Sequence, residues 1–234
     1  MDLAFFKKPI LEIKPNNSFA DKAKELFISI LWMYGFLFLV TILLKIADFL
    51  IKNKTNFSFY EILLSQQHKN FSFSVFYLIT LGPILEELVF RLPLVLNKKK
   101  IIISLSLACF LLAGTRFSES NLYSINTVYK TVSIVLIGII THFFLKESYL
   151  QMIKGKYYPI YFYSITVLFG LVHLFNFYKI VPMNLLIFAP LFVLPQIILG
   201  AFTGYIRLKN GLIWSIIMHC IFNIPGFLSL LSHR

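Results

Sequence analysis

Charge is what this sequence has least of. Of its 234 residues only 14% are charged and ten are acidic, whereas 58% are hydrophobic and mean hydropathy is +0.79. So small a charged share excludes an ordinary soluble globular domain, in which about a quarter of residues are charged. Cysteine is almost as scarce. Cys109 and Cys220 both lie inside apolar runs and lack metal-type spacing, so they read as buried thiols and give redox chemistry no support. There is no H-E-x-x-H helix, no internal repeat and no low-complexity tract. A cleavable signal peptide is not expected either, because the first apolar run starts near Leu26, after a mixed polar arm.

What is present is a series of uncharged stretches that approach or exceed the roughly 20 residues a helix needs to cross a bilayer. They do not alternate as barrel strands would. The fold class expected is therefore all-α, a polytopic transmembrane helical bundle of about seven spans. These fall near 26–44, 71–96, 101–115, 129–145, 157–178, 183–206 and 211–231, the third and fourth being short enough to be re-entrant or interfacial instead. The organisation read from this is a polar N-terminal arm, 1–25, followed by one transmembrane domain, 26–234. Pro182, Pro190 and Pro195 should kink or break the sixth span. Between the first and second spans, the polar loop 45–70 carries Phe57, Phe59 and Tyr60 and could lie along the interface.

Net charge is +12, but the 22 Lys and Arg residues fall mostly between the apolar runs, where orientation signals and lipid-headgroup contacts are found. Nucleic acid is not needed to explain them; membrane lipid is. With seven spans, Lys7, Lys8, Lys14, Lys22, Lys24, Lys98 to Lys100, Lys146, Lys154, Lys156, Arg207 and Lys209 share one side. Fewer basic residues lie on the other. The bias places the N-terminus in the cytoplasm.

Ionisable groups inside spans are costly, and each is a functional candidate until a structural partner is found. Three clusters qualify. In Pro83-Ile-Leu-Glu-Glu-Leu-Val-Phe-Arg91, Glu87 and Arg91 are four apart and share a helix face, whereas Glu86 points about 100° away. The plainer alternative is a solvated cytoplasmic end of a shorter span. His173 stands in the fifth span, at the end of Phe169-Gly-Leu-Val-His173, with Asn176 one turn on; a lone histidine there is more often structural. In the last span His219 and Asn223 are four apart, which serves a site or a hydrogen bond between helices equally. As a set, two carboxylates, an arginine, two histidines and an asparagine on three helices are what activating a water molecule beside a polarised carbonyl requires. Peptide-bond hydrolysis within the membrane is the reading that follows. His142, His68 and His233 have no such company and are left as bland residues.

Glu86-Glu87-Leu-Val-Phe-Arg91, Phe169-Gly-Leu-Val-His173 and His219-Cys-Ile-Phe-Asn223 match E-E-x-x-x-R, F-x-x-x-H and H-x-x-x-N in order. Together they resemble the CPBP family of intramembrane proteases, the CAAX-protease and bacteriocin-processing group also called Abi. The stretch Gly200 to Trp214 resembles the segment that precedes the third motif there. The likeness covers about 71–227. It departs from the family pattern in 98–156, which has the look of an inserted helical pair.

The resemblance implies roles. Glu86 would be the general base that activates water and His173 would help hold that water. Glu87 with Arg91 would position the first carboxylate, and His219 with Asn223 would form the oxyanion pocket. No cofactor is firmly implied; a second scheme has Glu86, His173 and His219 binding a divalent metal such as zinc, which then activates the water. The partners expected are membrane lipid and a peptide or membrane-protein substrate, and the location is a bacterial inner membrane. Two other functions compete: an immunity or binding protein without proteolysis, and a proton-coupled transporter using the buried acid and histidines as a relay.

Overall fold

The computed structural model describes residues 1–12, 15, 18–55, 77–112, 125–176 and 189–232, and among them there is no strand. The all-α expectation holds. Helix α1, Phe19–Thr55, starts where the Ser18 hydroxyl accepts the Asp21 backbone N–H at 3.0 Å and donates to the Asp21 carboxylate at 2.6 Å, a cap that satisfies an otherwise orphaned donor. Its 37 residues far exceed the 26–44 span, because Lys45, Asp48 and Lys52 end the apolar run without ending the helix.

The second segment is broken into pieces. A π-type turn at Tyr77–Leu81 leads into α2, Gly82–Phe90, which carries Pro83 in its first turn and is closed by the Arg91 N–H donating to the Glu87 carbonyl at 2.8 Å. A 3-10 turn, Pro93–Val95, follows, and Leu96 takes a left-handed conformation (φ 47°) that reverses the chain into α3, Lys98–Leu112. Helix α3 packs along α4, Ile125–Phe144, and that contact builds the region expected to be an inserted pair.

The fifth segment is longer than its apolar run. α5, Glu147–Met152, continues through a π-type turn at Ile153–Tyr157 into α6, Tyr158–Val172, and on into a 3-10 turn, His173–Asn176. Lys154, Gly155 and Lys156 interrupt the hydropathy but not the helical path. The expected break in the sixth segment falls at Val193 (φ −103°, ψ 2°), between α7, Ala189–Phe192, and α8, Leu194–Asn210, where Pro195 cannot donate a backbone hydrogen bond. After Gly211 (φ 102°) the chain enters α9, Leu212–Ser232. Among the described residues two stretches are long and apolar enough to cross a membrane, Phe19–Phe49 with 31 residues and Glu147–Asn176 with 30. The expected interfacial Phe57, Phe59 and Tyr60, together with His68, Pro182 and His233, lie outside the described residues.

Helix α8 is the centre of the bundle, packed on α1, α6 and α9 and buried on most sides. Glycines let α6 approach it closely: a Cβ on Gly204 would meet the Phe162 ring at 2.8 Å, and one on Gly170 would meet Ile197 at 2.3 Å. The start of α6 is tied to the turn after α2 by Tyr158, which donates to the Leu94 carbonyl at 2.9 Å, and Tyr161, which donates to Pro93 at 3.0 Å. The N-terminal arm, unassigned in the sequence, docks through a 3-10 turn at Leu3–Phe6: Phe5 is buried edge-on against Phe162, and Tyr163 donates to the Phe6 carbonyl.

Candidate active site

Three elements meet where α2, the end of α6 and the middle of α9 converge. Adjacent carboxylates on α2 point in different directions, as 100° per residue requires, and meet opposite environments. Glu87 is wholly buried, while the side chain of Glu86 keeps 34% exposure. Glu87 Oε2 lies 3.3 Å from Arg91 Nε, the i,i+4 pair that the spacing predicts, and Arg91 is itself wholly buried. The solvated-end alternative is therefore wrong for Glu87 and Arg91.

Both imidazoles face Glu86. His173 closes α6, where its backbone N–H caps the helix, and its Nδ1 lies 2.8 Å from the Phe169 carbonyl. A carbonyl only accepts, so Nδ1 carries the proton and Nε2 is left facing Glu86 Oε2 at 3.7 Å. On α9, His219 Nδ1 lies 3.0 Å from Glu87 Oε1, and its Nε2 faces the same Glu86 oxygen at 3.6 Å. A carboxylate thus holds the His219 ring as a carbonyl holds the other. Among the described residues Glu86 Oε2 has no hydrogen-bond partner. A water molecule placed there has two protons to give, one to Glu86 Oε2 and one to the unprotonated Nε2 of His173.

Of the six residues singled out in the sequence, Glu86, Glu87, Arg91, His173 and His219 are joined by direct contacts. Asn223 is half-buried one turn beyond His219 on α9. His142 lies exposed against the Phe143 ring, and both cysteines are half-buried rather than fully enclosed. Glu86, His173 and His219 do not complete a cage for an ion: among the described residues no group of three His, Cys, Asp or Glu side chains is placed to hold a metal. No step is routed through a metal below.

Sequence reasoning missed two neighbours and gave a third, the Phe169 of the second motif, no role. Thr203, on α8, accepts a hydrogen bond from Arg91 Nε at 2.8 Å. Ser215, fully buried one turn before His219, lies against the Glu87 carboxylate and donates to the Leu212 carbonyl at 3.0 Å. The Phe169 ring gathers the cluster, with the Arg91 guanidinium 4.6 Å over its face and the His173 and His219 rings at 4.9 and 5.8 Å. The four-residue spacing Ser215, His219, Asn223 was a usable signal for the second of these.

The bundle of apolar helices thus buries a carboxylate–imidazole–guanidinium cluster in which the Glu86 side chain stays partly exposed. Residues 68–225 match the family described as Type II CAAX prenyl endopeptidase Rce1-like, and the chain belongs to that family, which is the CPBP family. It is accordingly a membrane-embedded protein of an intramembrane endopeptidase family. No curated protein and no solved structure matches the chain.

Proposed function

We propose that this protein hydrolyses a peptide bond in a membrane-associated substrate by water activated at Glu86. The observation that carries the reading is Glu86 Oε2, unpartnered and 3.7 and 3.6 Å from the Nε2 atoms of two histidines on different helices. Water hydrogen-bonded there gives one proton to Glu86 as its oxygen attacks the scissile carbonyl carbon. The C–N bond of the tetrahedral species then breaks, and Glu86 returns the proton to the leaving amine. His173, its Nδ1 committed to Phe169, keeps Nε2 free to accept from that water.

His219 and Asn223 stabilise the oxyanion. A neutral His219 whose proton is on Nδ1 has none on Nε2, so it donates to the oxyanion only as imidazolium. The Glu87 carboxylate 3.0 Å from Nδ1 accepts that ring proton and fixes the direction in which Nε2 points. Arg91 in turn offsets the charge of Glu87. The substrate class to examine first is a prenylated C-terminal segment, after the family description, with leader-type peptides beside it. The exposed apolar residues along α1, among them Phe27, Leu31, Phe38 and Leu43, face lipid in this reading, and the membrane is of the bacterial inner type.

The test is cleavage of such a peptide panel by the detergent-purified protein. Glu86→Gln should cost about 10²- to 10⁴-fold in turnover, the contribution of a general base, and a chelator should leave the wild-type rate unchanged. Full activity in Glu86→Gln removes Glu86 from the reaction, and loss to a chelator that added metal restores transfers water activation to an ion. Vesicle flux coupled to protons, with no cleavage, would instead favour transport; protection against a bacteriocin without cleavage would favour immunity.

A further inference from the structure

Helix α8 contributes no residue to the three motifs, yet it holds the buried end of the cluster. We infer that Thr203 is a positioning residue for the proposed hydrolysis, acting through Arg91 and Glu87 on His219. Its side chain is wholly buried, and its hydroxyl proton is committed to the Leu199 carbonyl at 2.9 Å, with the Gly200 carbonyl at 3.4 Å. The oxygen lone pairs are thereby left for Arg91 Nε, which donates at 2.8 Å.

That bond matters because the guanidinium has so few others. Arg91 Nη1 and Nη2 have no hydrogen-bond partner and the group lies over the Phe169 ring, so among the described residues Thr203 is the one hydrogen-bond acceptor of this side chain. The same Nε stands 3.3 Å from Glu87 Oε2, while Glu87 Oε1 holds His219 Nδ1 at 3.0 Å and His219 Nε2 faces Glu86 at 3.6 Å. A continuous path of contacts runs from Thr203 to the proposed base. One turn further along the same face of α8, Arg207 donates from Nε to the Arg91 carbonyl at 3.2 Å, so α8 holds Arg91 by side chain and backbone together. Thr203 sets the rotation of the guanidinium against Glu87, and Glu87 sets the ring of His219. No substrate reaches a residue this buried.

The inference rests on the reading of Glu86 and His219 as reacting groups, and the experiment separates the two. Thr203→Val keeps the shape and removes the acceptor; Thr203→Ser restores the hydroxyl; Thr203→Cys supplies a weaker acceptor. On soluble, monodisperse protein with a cleaved peptide, Thr203→Val should lower kcat about tenfold or more, as small misplacements of reacting groups do, with KM within about twofold. Thr203→Ser should return close to wild type and Thr203→Cys should fall between. Wild-type kcat in Thr203→Val, serine no better than valine, or a loss confined to KM overturns the assignment. If Thr203→Val does not fold, equal kcat in the serine and cysteine variants overturns it and the order serine above cysteine sustains it. Glu86→Gln measured alongside distinguishes the failures: full turnover there removes the site reading itself, whereas an inactive Glu86→Gln beside an indifferent Thr203 removes only this inference.

Discussion

Two adjacent glutamates do different work because one helical step separates their surroundings. Glu87 is sealed among Arg91, His219 and Ser215, whereas the Glu86 side chain is partly exposed and its Oε2 has no hydrogen-bond partner among the described residues. Stability and activity should therefore part company between neighbouring positions. Truncating one member of a buried ion pair leaves an uncompensated charge, which costs about 3–5 kcal/mol. Arg91→Ala should lower the detergent-solubilised protein's thermal midpoint sharply and abolish cleavage with it. Glu86→Gln should abolish cleavage with the midpoint unchanged, because the isosteric amide breaks no hydrogen bond that Oε2 makes among the described residues. Comparable midpoints in both variants would contradict the burial of the Glu87–Arg91 pair. At this scale the spacing rules read well: Glu87 with Arg91 follows from a four-residue interval, and so does the divergence of Glu86. Thr203 did not show, because a hydroxyl in an apolar helix usually bonds its own carbonyl, and only the reach of the Arg91 side chain to α8 reveals that its lone pairs are also used.

Helices form this site by approaching closely, and the closeness is carried by glycine. Against α6, Gly204 makes room for Phe162, and Gly200 makes room for Phe169, whose ring a new Cβ would meet at 3.0 Å. Overpacking of this kind costs about 1–3 kcal/mol, but the two positions should differ in what they disturb. Phe162 packs with Phe5 and Tyr163, away from the carboxylates, so Gly204→Ala should chiefly reduce stability. Phe169 carries Arg91 and both imidazoles, so Gly200→Ala should reduce kcat by more than its stability loss explains. Gly35→Ala, with nothing within 4 Å of the new Cβ, is the control and should be neutral in both. Thermal midpoints and kcat measured on the three variants check this; a Gly200→Ala enzyme with wild-type kcat would uncouple the Phe169 ring from the site. Element identity was legible from hydropathy, and so was the proline break that falls at Val193. Element ends were not, since hydropathy reports the apolar run whereas helix propensity and capping decide where the helix stops. That is why α1 outruns its span in both directions and why the fifth segment begins at Glu147.

For the whole molecule, the hydrogen bonds between elements bring together segments that the distribution of lysine and arginine had assigned to one side. Asn210 at the end of α8 donates to the Lys22 carbonyl at the start of α1, and Tyr158 and Tyr161 at the start of α6 reach the turn that follows α2. These bonds gather the arm, the 98–100 lysines, the 146–156 segment and Arg207 with Lys209 at one end of the bundle, the grouping that the basic residues suggested from the sequence. The sequence alone had no means of showing that the arm folds back: Phe5 and Phe6 read as two apolar residues in a polar segment until Phe162, Phe202 and Tyr205 are seen around them. With seven spans and the positive end inside, a cysteine introduced at Lys8, Lys154 or Lys209, in a chain whose Cys109 and Cys220 are serine, should resist a membrane-impermeant maleimide in intact bacterial cells and react once they are permeabilised. A cysteine at Ser232, the last residue of α9, should react in intact cells. Labelling of Lys8 and Lys209 variants before permeabilisation would invert the orientation. Protection of the Ser232 variant would leave an even number of crossings and turn the third or fourth segment, α3 or α4, into an element that enters the membrane without traversing it. The orientation also bears on chemistry: His219 lies about two turns into α9 from the end that Gly211 shares with the arm, so the cytoplasmic assignment requires water and substrate to reach Glu86 from the cytoplasm.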